Sequence, residues 1–281
     1  MRTIIHAIGE KHQLSINAIN SLAGGDINDV FLLKCSSESY VLKLNLDAKY
    51  PGMFEAEAKG LELLALSQSF RIPEVHHWGT LDAYSYLLME YIPSGDRSPD
   101  FWQNFAENLV KLHRTSDDHF GLEYSNYIGS LPQRNQAFDD ASEFYISERL
   151  EPQLKMASDH GYSFPGLEKA LKNIAEVIPK ESPTLVHGDL WSGNYLVSSS
   201  GEPVLIDPAV AYAPREMDLG MMLLFGGFSS EVFERYNEIF PMAPGWEERV
   251  PLWQLYYLLV HLNLFGSGYL GRVRDIFRRY T

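Results

Sequence analysis

The hydrophobic period of the sequence changes across Pro93-Ser94-Gly95, and that change limits the fold more than any other feature. Ahead of it, apolar residues come in short β-branched and aromatic runs that read as strands: residues 21–34, Tyr40-Val41-Leu42-Lys43-Leu44, Val75–Gly79 and Tyr84–Tyr91. One helical stretch interrupts them over 53–66, where Phe54, Ala58, Leu61 and Leu64 or Ala65 recur at helical spacing. Behind the break, Ser98 and Pro99 suit a cap and first turn, and Phe105, Leu109, Leu112 and His113 follow at helical spacing. Residues 142–160, 166–178 and the aromatic-rich last third also read as helical. A hairpin stands apart: Tyr195-Leu196-Val197, a turn over Ser198–Glu202, then Val204-Leu205-Ile206. Strands first and helices after predict an α+β chain of two lobes. The expected division is a small mixed lobe over 1–90, a connection over 91–95 and a larger, mainly helical lobe over 96–281.

Hydrophobic residues make up 45% of the chain and aromatics 13%, ample for a packed core. The net charge of −14, from 23 basic and 37 acidic residues, lacks the basic footprint that duplex nucleic acid requires. An acidic surface suits a cationic ligand and equally keeps a protein soluble. The single cysteine, Cys35, precludes an internal disulfide and a cysteine-based zinc site, and its place after Phe31, Leu32 and Leu33 predicts a buried core thiol. Met1-Arg2-Thr3-Ile4-Ile5-His6 turns polar too soon for a signal peptide. The apolar region from Leu252 to Leu264 is cut by Gln254, His261 and Asn263 and is too short to span a bilayer. The expectation is a cytoplasmic protein without membrane or nucleic-acid partners.

The chemistry concentrates in Leu185-Val186-His187-Gly188-Asp189-Leu190-Trp191-Ser192-Gly193-Asn194, followed by Leu205-Ile206-Asp207-Pro208. Either aspartate alone would be an ordinary turn or strand-end residue. Together they form an Asp five residues before an Asn, then a hairpin, then an Asp at a strand end, which is the layout of a kinase catalytic loop and metal site. The acceptor hydroxyl of a phosphoryl transfer must be oriented and must lose its proton, which suits the Asp189 carboxylate. Phosphate charge calls for Mg²⁺, a cation that prefers hard oxygen ligands, and Asn194 and Asp207 supply them. Lys43 interrupts an apolar strand, where a charge is costly unless paired. In the kinase layout such a lysine contacts the α- and β-phosphates of ATP and pairs with a helix glutamate, here Glu57, with Glu55 in reserve. The backbone of Glu90 and Ile92 is expected to hold adenine. Gly24-Gly25 precedes a strand pair, so its N–H groups suit phosphate, although paired glycines usually mark only a turn.

His187-Gly188-Asp189-Leu190-Trp191-Ser192-Gly193-Asn194 resembles the signature of the fructosamine kinase family, within the wider group of aminoglycoside and choline phosphotransferases. Gly24-Gly25-Asp26-Ile27-Asn28 resembles the family's nucleotide loop, and Met53-Phe54-Glu55-Ala56-Glu57 its Met-Phe-Glu-x-Glu helix. Asp207-Pro208-Ala209, Arg215-Glu216-x-Asp218-Leu219 and the segment from Gln254 to Gly266 also match, so the likeness covers nearly the whole chain. Some relatives carry a cysteine in the nucleotide loop; residues 22–30 have none. The resemblance implies a protein-kinase-like fold, ATP and Mg²⁺ as cofactors, and a ketosamine acceptor, free or on protein lysines, phosphorylated at its third carbon. It brings Asn28 to the nucleotide and implies repair of glycated amines. Trp191 is expected as a flat wall against the sugar or its amine, with a core tryptophan as the alternative. Gly129–Asn135 resembles a segment near the acceptor pocket. His187 is expected to brace the loop rather than move protons. Arg215, Glu216 and Asp218 are expected in a bracing network, and Tyr256 and Tyr257 in the core. An aminoglycoside or choline phosphotransferase, and a noncatalytic ATP-binding scaffold, remain alternatives; intact Lys43, Asp189, Asn194 and Asp207 argue against the scaffold.

Overall fold

The computed structural model describes residues 1–22, 27–36 and 38–281. The first lobe contains α1 (Arg2–Lys11), β1 (Ile16–Ser21), β2 (Asp29–Cys35), β3 (Ser39–Leu46), α2 (Met53–Leu66), β4 (Val75–Leu81) and β5 (Tyr84–Glu90). Its strands form one antiparallel sheet in the order β1-β2-β3-β5-β4. Alternation along a strand sends neighbouring side chains to opposite faces. Leu42 and Leu44 of β3 and Tyr86 and Leu88 of β5 therefore pack with Ile4, Ile5 and Ile8 of α1. Val41, Leu87 and Met89 meet Phe54, Ala58 and Leu61 of α2 on the other face. Lys43 has the parity of Val41, so it is directed toward α2.

The second lobe runs through α3 (Phe101–His113), a hairpin of β6 (Asn126–Ile128) and β7 (Leu131–Gln133), and α4 (Ala141–Phe144). A π-helical turn over Tyr145–Leu150 joins α4 to α5 (Glu151–Asp159), and α6 (Leu167–Val177) follows. Then come β8 (Thr184–Val186), β9 (Tyr195–Val197), β10 (Pro203–Leu205), β11 (Ala211–Ala213), α7 (Glu216–Phe225), α8 (Ser230–Ile239), α9 (Trp246–Phe265) and α10 (Leu270–Tyr280). Residues Leu252 to Val260 of α9 are all buried, as expected of a helix at the centre of a core. Among the described residues, no helix is long and apolar enough to cross a membrane.

Two short antiparallel pairs, β8 with β11 and β9 with β10, hold the segments that contain the motif residues. The amide of Ala209 donates to the carbonyl of His187 (2.9 Å), and that of Ile206 to Asn194 (3.0 Å), so the two loops cross in contact. Gly188 sits at φ +82°, where a Cβ would overlap the Ala209 backbone. The β9–β10 hairpin also grips the chain after β5. Gly95 N–H donates to Val197 O at 3.0 Å, and Ser98 N–H to Gly201 O at 3.2 Å.

Several details depart from the sequence reading. The first lobe has a second helix, α1, which owes its stability to the Ile4, Ile5 and Ile8 stripe against the sheet. α3 begins at Phe101, because Ser98 is held in a turn with its carbonyl accepting from Phe101 N–H (3.1 Å), and its buried hydroxyl caps nothing. Cys35 is half-buried rather than fully enclosed, at the end of β2. Arg215, Glu216 and Asp218 are all buried; Arg215 and Asp218 are joined through Tyr236 and His113, while Glu216 braces a separate pair of partners. Arg215 pairs with Glu181 at 2.7 Å and donates to the carbonyls of Phe240 and Pro241. Glu216 takes a bidentate contact from Arg249 at 2.5 and 3.0 Å, and Trp253 Nε1–H at 2.6 Å. Asp218 reaches the motif loop.

Removing Glu216 strands both the Arg249 charge and the indole N–H in a buried place. Glu216→Ala should destabilise the protein by about 3–5 kcal/mol, measured by urea unfolding. Adding Arg249→Met should return part of that loss.

Candidate active site

Lys43 is 5% exposed, yet charged partners surround it. Its Nζ donates to Glu57 Oε1 at 2.6 Å and to Asp207 Oδ1. Glu57 lies one turn beyond Phe54 on α2, on the face turned to the sheet, whereas Glu55 pairs outward with Lys59 at 2.7 Å. Burial disfavours the ammonium, but the two carboxylates outweigh it and hold the Lys43 pKa above the ordinary lysine value. Burial and the Asp207 charge push Glu57 up, with Lys43 opposing. An ammonium has three donors, and two are committed here, which leaves one for a further anion.

Asp189 and Asn194 lie at either end of the tight loop between β8 and β9. The Asn194 side-chain NH₂ donates to Asp189 O (2.8 Å), Asp189 Oδ2 (3.1 Å) and Asp207 O (3.4 Å). Its amide oxygen is thereby left as the atom open to a cation. Asp207 adopts φ +55°, a left-handed conformation sparsely populated outside glycine and asparagine or aspartate. Burial first, then the Asp207 charge, raise Asp189 to about 7 against the hydrogen bond from Asn194. A carboxylate tuned near neutrality is matched to moving a proton.

The loop is braced from behind. Asp218, fully buried, accepts His187 N–H (2.8 Å) on one oxygen and Gly188 N–H (2.9 Å) on the other. His113 Nε2 lies 3.2 Å from the same carboxylate. The His187 ring faces a carbonyl at one nitrogen, Nε2 to Ile206 O at 2.9 Å, so that nitrogen carries the proton. Its Nδ1 then accepts Asp189 N–H at 3.3 Å. Burial lowers its pKa, and with both nitrogens committed the neutral ring is a brace. Tyr257, at the core as expected, donates its hydroxyl to Gly188 O at 3.0 Å.

Two cavities meet at Asp189. The smaller, about 200 Å³, is lined by Asn28, Lys43, Glu57, Asn126, Asp189, Trp191, Asn194 and Asp207 among others. The larger, about 500 Å³, is walled by Tyr50, Ser130, Trp191, Phe225, His261 and Phe265, and shares Ile27, Gly129, Asp189 and Trp191 with the smaller. Trp191 is 41% exposed and stands at the mouth rather than in the core. Its indole lies flat over Gly193, where a Cβ would collide with the ring. Asn28 is held by Asn45 Nδ2 at 3.0 Å. Glu90 and Ile92 line neither cavity. The Glu90 N–H is bound to Glu74 O at 2.8 Å and its side chain to Arg71 at 2.5 Å. Gly24 and Gly25 lie outside the described residues. The sequence reading passed over Asn126 and Phe225, and held His261 and Phe265 only as members of the matching Gln254–Gly266 segment, with no place in the site. The Gly129–Asn135 resemblance was the one signal that pointed to an acceptor pocket.

Asn194 and Asp207 are hard oxygen donors lining one cavity. Among the described residues, no cluster of three or more His, Cys, Asp or Glu forms an all-protein metal cage. One or two protein oxygens completed by phosphates and water is a donor set that fits Mg²⁺.

A protein of Enterococcus faecium named "Probable ketoamine kinase" is 38% identical over 265 residues, spanning 92% of this chain and 94% of its own length. The Arabidopsis thaliana chloroplastic protein-ribulosamine 3-kinase is 36% identical over 273 residues, spanning 94% and 83%. The crystal structure of a candidate fructosamine-3-kinase from Thermobifida fusca superposes with a TM-score of 0.88 at 32% identity, covering 99% of this chain and 98% of that one. Aminoglycoside phosphotransferase APH(4)-Ia, with a TM-score of 0.68 at 19% identity over 99% of this chain and 98% of its own, shares the protein-kinase-like two-lobed fold. The fructosamine kinase family model matches residues 1–281. A kinase-type loop and a buried lysine triad, set in a chain that matches the family model end to end, make this protein a member of the fructosamine kinase family.

Proposed function

We propose that this kinase transfers the γ-phosphoryl group of Mg-ATP to the 3-hydroxyl of a ketosamine, a fructose- or ribulose-type sugar joined to an amine. The observation that carries the reading is the position of Asp189 where the two cavities meet, with Lys43, Asn194 and Asp207 on one side and Trp191 on both. The Arabidopsis relative's name, protein-ribulosamine 3-kinase, supports the acceptor and extends it to sugars on protein amines. Removal of glycation adducts is the biological role that follows.

In this reading Asp189 orients the acceptor hydroxyl and takes its proton. The free donor of Lys43 positions the nucleotide phosphates, and Glu57 holds Lys43 in place. Bound Mg²⁺ would neutralise phosphate charge, with Asn194 Oδ1 and the Asp207 carboxylate holding it. Residues 91–95 serve as the hinge between lobes over 1–90 and 96–281. The backbone of Glu90 and Ile92 is assigned to adenine, and Gly24, Gly25 and Asn28 to the phosphates. Trp191 forms a wall of the sugar site. A polycationic aminoglycoside is disfavoured, because Asp189 is the only carboxylate among the described residues lining the larger cavity.

Asp189→Asn keeps the shape but removes the proton acceptor. Single-turnover phosphorylation of a ribulosamine should fall by at least about a hundredfold, with Mg-ATP affinity nearly unchanged. A near-native rate would remove Asp189 from its role, and failure of the wild-type protein to phosphorylate any ketosamine would overturn the substrate.

Asp207→Ala removes a charged ligand and Asn194→Ala a neutral one. Titrating activity with Mg²⁺ should show no recovery for the first and a raised requirement for the second. Near-native activity of Asp207→Ala at low Mg²⁺ would refute the assignment.

Lys43→Met and Glu57→Gln should each slow turnover. Because the side chains touch, a double-mutant cycle should give a coupling of about 0.5–3 kcal/mol. Additive effects would separate Glu57 from Lys43.

A further inference from the structure

The buried face of α3 is apolar until its last residue. Phe101, Phe105, Leu109 and Leu112 pack into the second lobe's core, and His113 is fully enclosed beside them. An imidazole in such a place is costly unless both ring nitrogens are matched. Nε2 lies 3.2 Å from Asp218 Oδ2 and Nδ1 lies 2.8 Å from the Tyr236 hydroxyl. A carboxylate oxygen only accepts, so Nε2 carries the proton. Arg215 Nη1 donates to the Tyr236 oxygen at 3.5 Å, and Arg215 is itself held by both oxygens of Glu181 at 2.7 and 3.0 Å. The phenol, already accepting from Arg215, turns its own O–H to Nδ1. Burial keeps its pKa above the ordinary tyrosine value despite the Arg215 charge, so the proton it donates stays on it. The donors therefore run one way, from Arg215 through Tyr236 and His113 to Asp218, the carboxylate that receives the His187 and Gly188 amides from its other side.

Resting on the reading of Asp189 as the group that takes the acceptor's proton, we infer that His113 is a positioning residue of the transfer: held in one tautomer by Tyr236, it sets the plane of the Asp218 carboxylate and through it the backbone that carries Asp189. Asp218 offers one oxygen to His187 N–H at 2.8 Å and the other to Gly188 N–H at 2.9 Å, which ties the carboxylate to a narrow range of rotation about its own bond. The Nε2–H of His113 falls on the oxygen that serves His187 and opposes any turn away from it. Asp189 is the next residue. Its remaining backbone supports, Tyr257 on the Gly188 carbonyl and the His187 ring on the Asp189 amide, hold the same short segment. Leu185 N–H donates to Thr115 O at 2.8 Å, so the end of α3 is seated on β8, the strand that leads into the loop. A misplacement of about 1 Å can cost about a hundredfold in rate, so the orientation of this carboxylate reaches the chemistry. Neither His113 nor Tyr236 lines either cavity, and the effect therefore falls on the rate of transfer rather than on binding.

The test joins steady-state turnover of a ribulosamine to amide hydrogen exchange read residue by residue by NMR. Tyr236→Phe keeps the ring and deletes the O–H, which frees His113 to carry its proton on either nitrogen. His113→Leu removes both nitrogens, and His113→Gln returns an N–H to the carboxylate. In Tyr236→Phe and His113→Leu, kcat per folded molecule should fall about 10–100-fold, with KM for Mg-ATP and for the ribulosamine within about twofold of native. Exchange at the His187 and Gly188 amides should quicken while the amides of α9 stay protected, a local loosening that a loss of overall stability would not produce. His113→Gln should recover part of the rate lost in His113→Leu. If His113→Leu does not fold, Tyr236→Phe carries the comparison alone. Native kcat in Tyr236→Phe, or unchanged protection of the two loop amides in it, would overturn the inference while Asp189 keeps its role. A near-native rate for Asp189→Asn would overturn the reading of Asp189 and this inference with it.

Discussion

A single buried ammonium organises the molecule. Lys43 comes from the middle strand of the sheet, Glu57 from the helix that crosses it, and Asp207 from the other lobe. Taking a lysine out of water is unfavourable unless its partners are close and well aligned, and losing one partner of such a group typically costs about 3–5 kcal/mol. That demand fixes relations far apart in the chain. The strand must turn Lys43 toward α2, the helix must present Glu57 between Phe54 and Leu61, and the second lobe must close near enough for Asp207 to arrive. The apolar packing of Val41, Leu87 and Met89 on Phe54, Ala58 and Leu61 is then the seal around the charges.

On the other side of the cleft, rigidity is supplied by groups that do no chemistry. Asp218 receives two consecutive amides of the motif loop, and His187 ties the loop to the residue before Asp207. Such oriented, buried hydrogen bonds are formed during folding, so the loop needs no rearrangement when phosphate and acceptor arrive. The closeness of the two loops also explains Gly188, which no larger residue could replace without displacing Ala209.

The features legible in the sequence are those in which one residue type performs one task. Lys43 was readable because a charge in an apolar strand demands a partner; the kinase layout offered Glu57 with Glu55 in reserve, and the fold separates them by turning Glu55 outward to Lys59. Asp189, Asn194 and Asp207 were readable by spacing. The three-residue strands β6, β7, β8 and β11 were not, since a run that short shows no period; β9 and β10 are as short but are set off by the polar turn over Ser198–Glu202. α1 was missed because its stripe of three isoleucines acquires meaning only against the sheet. The aromatic wall of Phe225, His261 and Phe265 was hidden for a different reason. Those residues lie on two helices, α7 and α9, and nothing in either segment alone distinguishes a lining ring from a core ring.

The grip of the β9–β10 hairpin on Gly95 and Ser98 has a mechanical consequence. The strands that separate Asn194 from Asp207 are bonded to the very chain that joins the lobes. Gly95 passes so near the Ser198 carbonyl that a Cβ there would be at 2.7 Å. The same hairpin also holds the chain between α2 and β4, where Leu205 N–H donates to Arg71 O at 3.1 Å. Glu57 shares this anchorage, because Leu64 of α2 packs in the second lobe's core and Gly60 lies against Pro208 and Val210. The hairpin is thus one post to which the chain on both sides of the β4–β5 pair is tied, with the helix that carries Glu57 seated beside it.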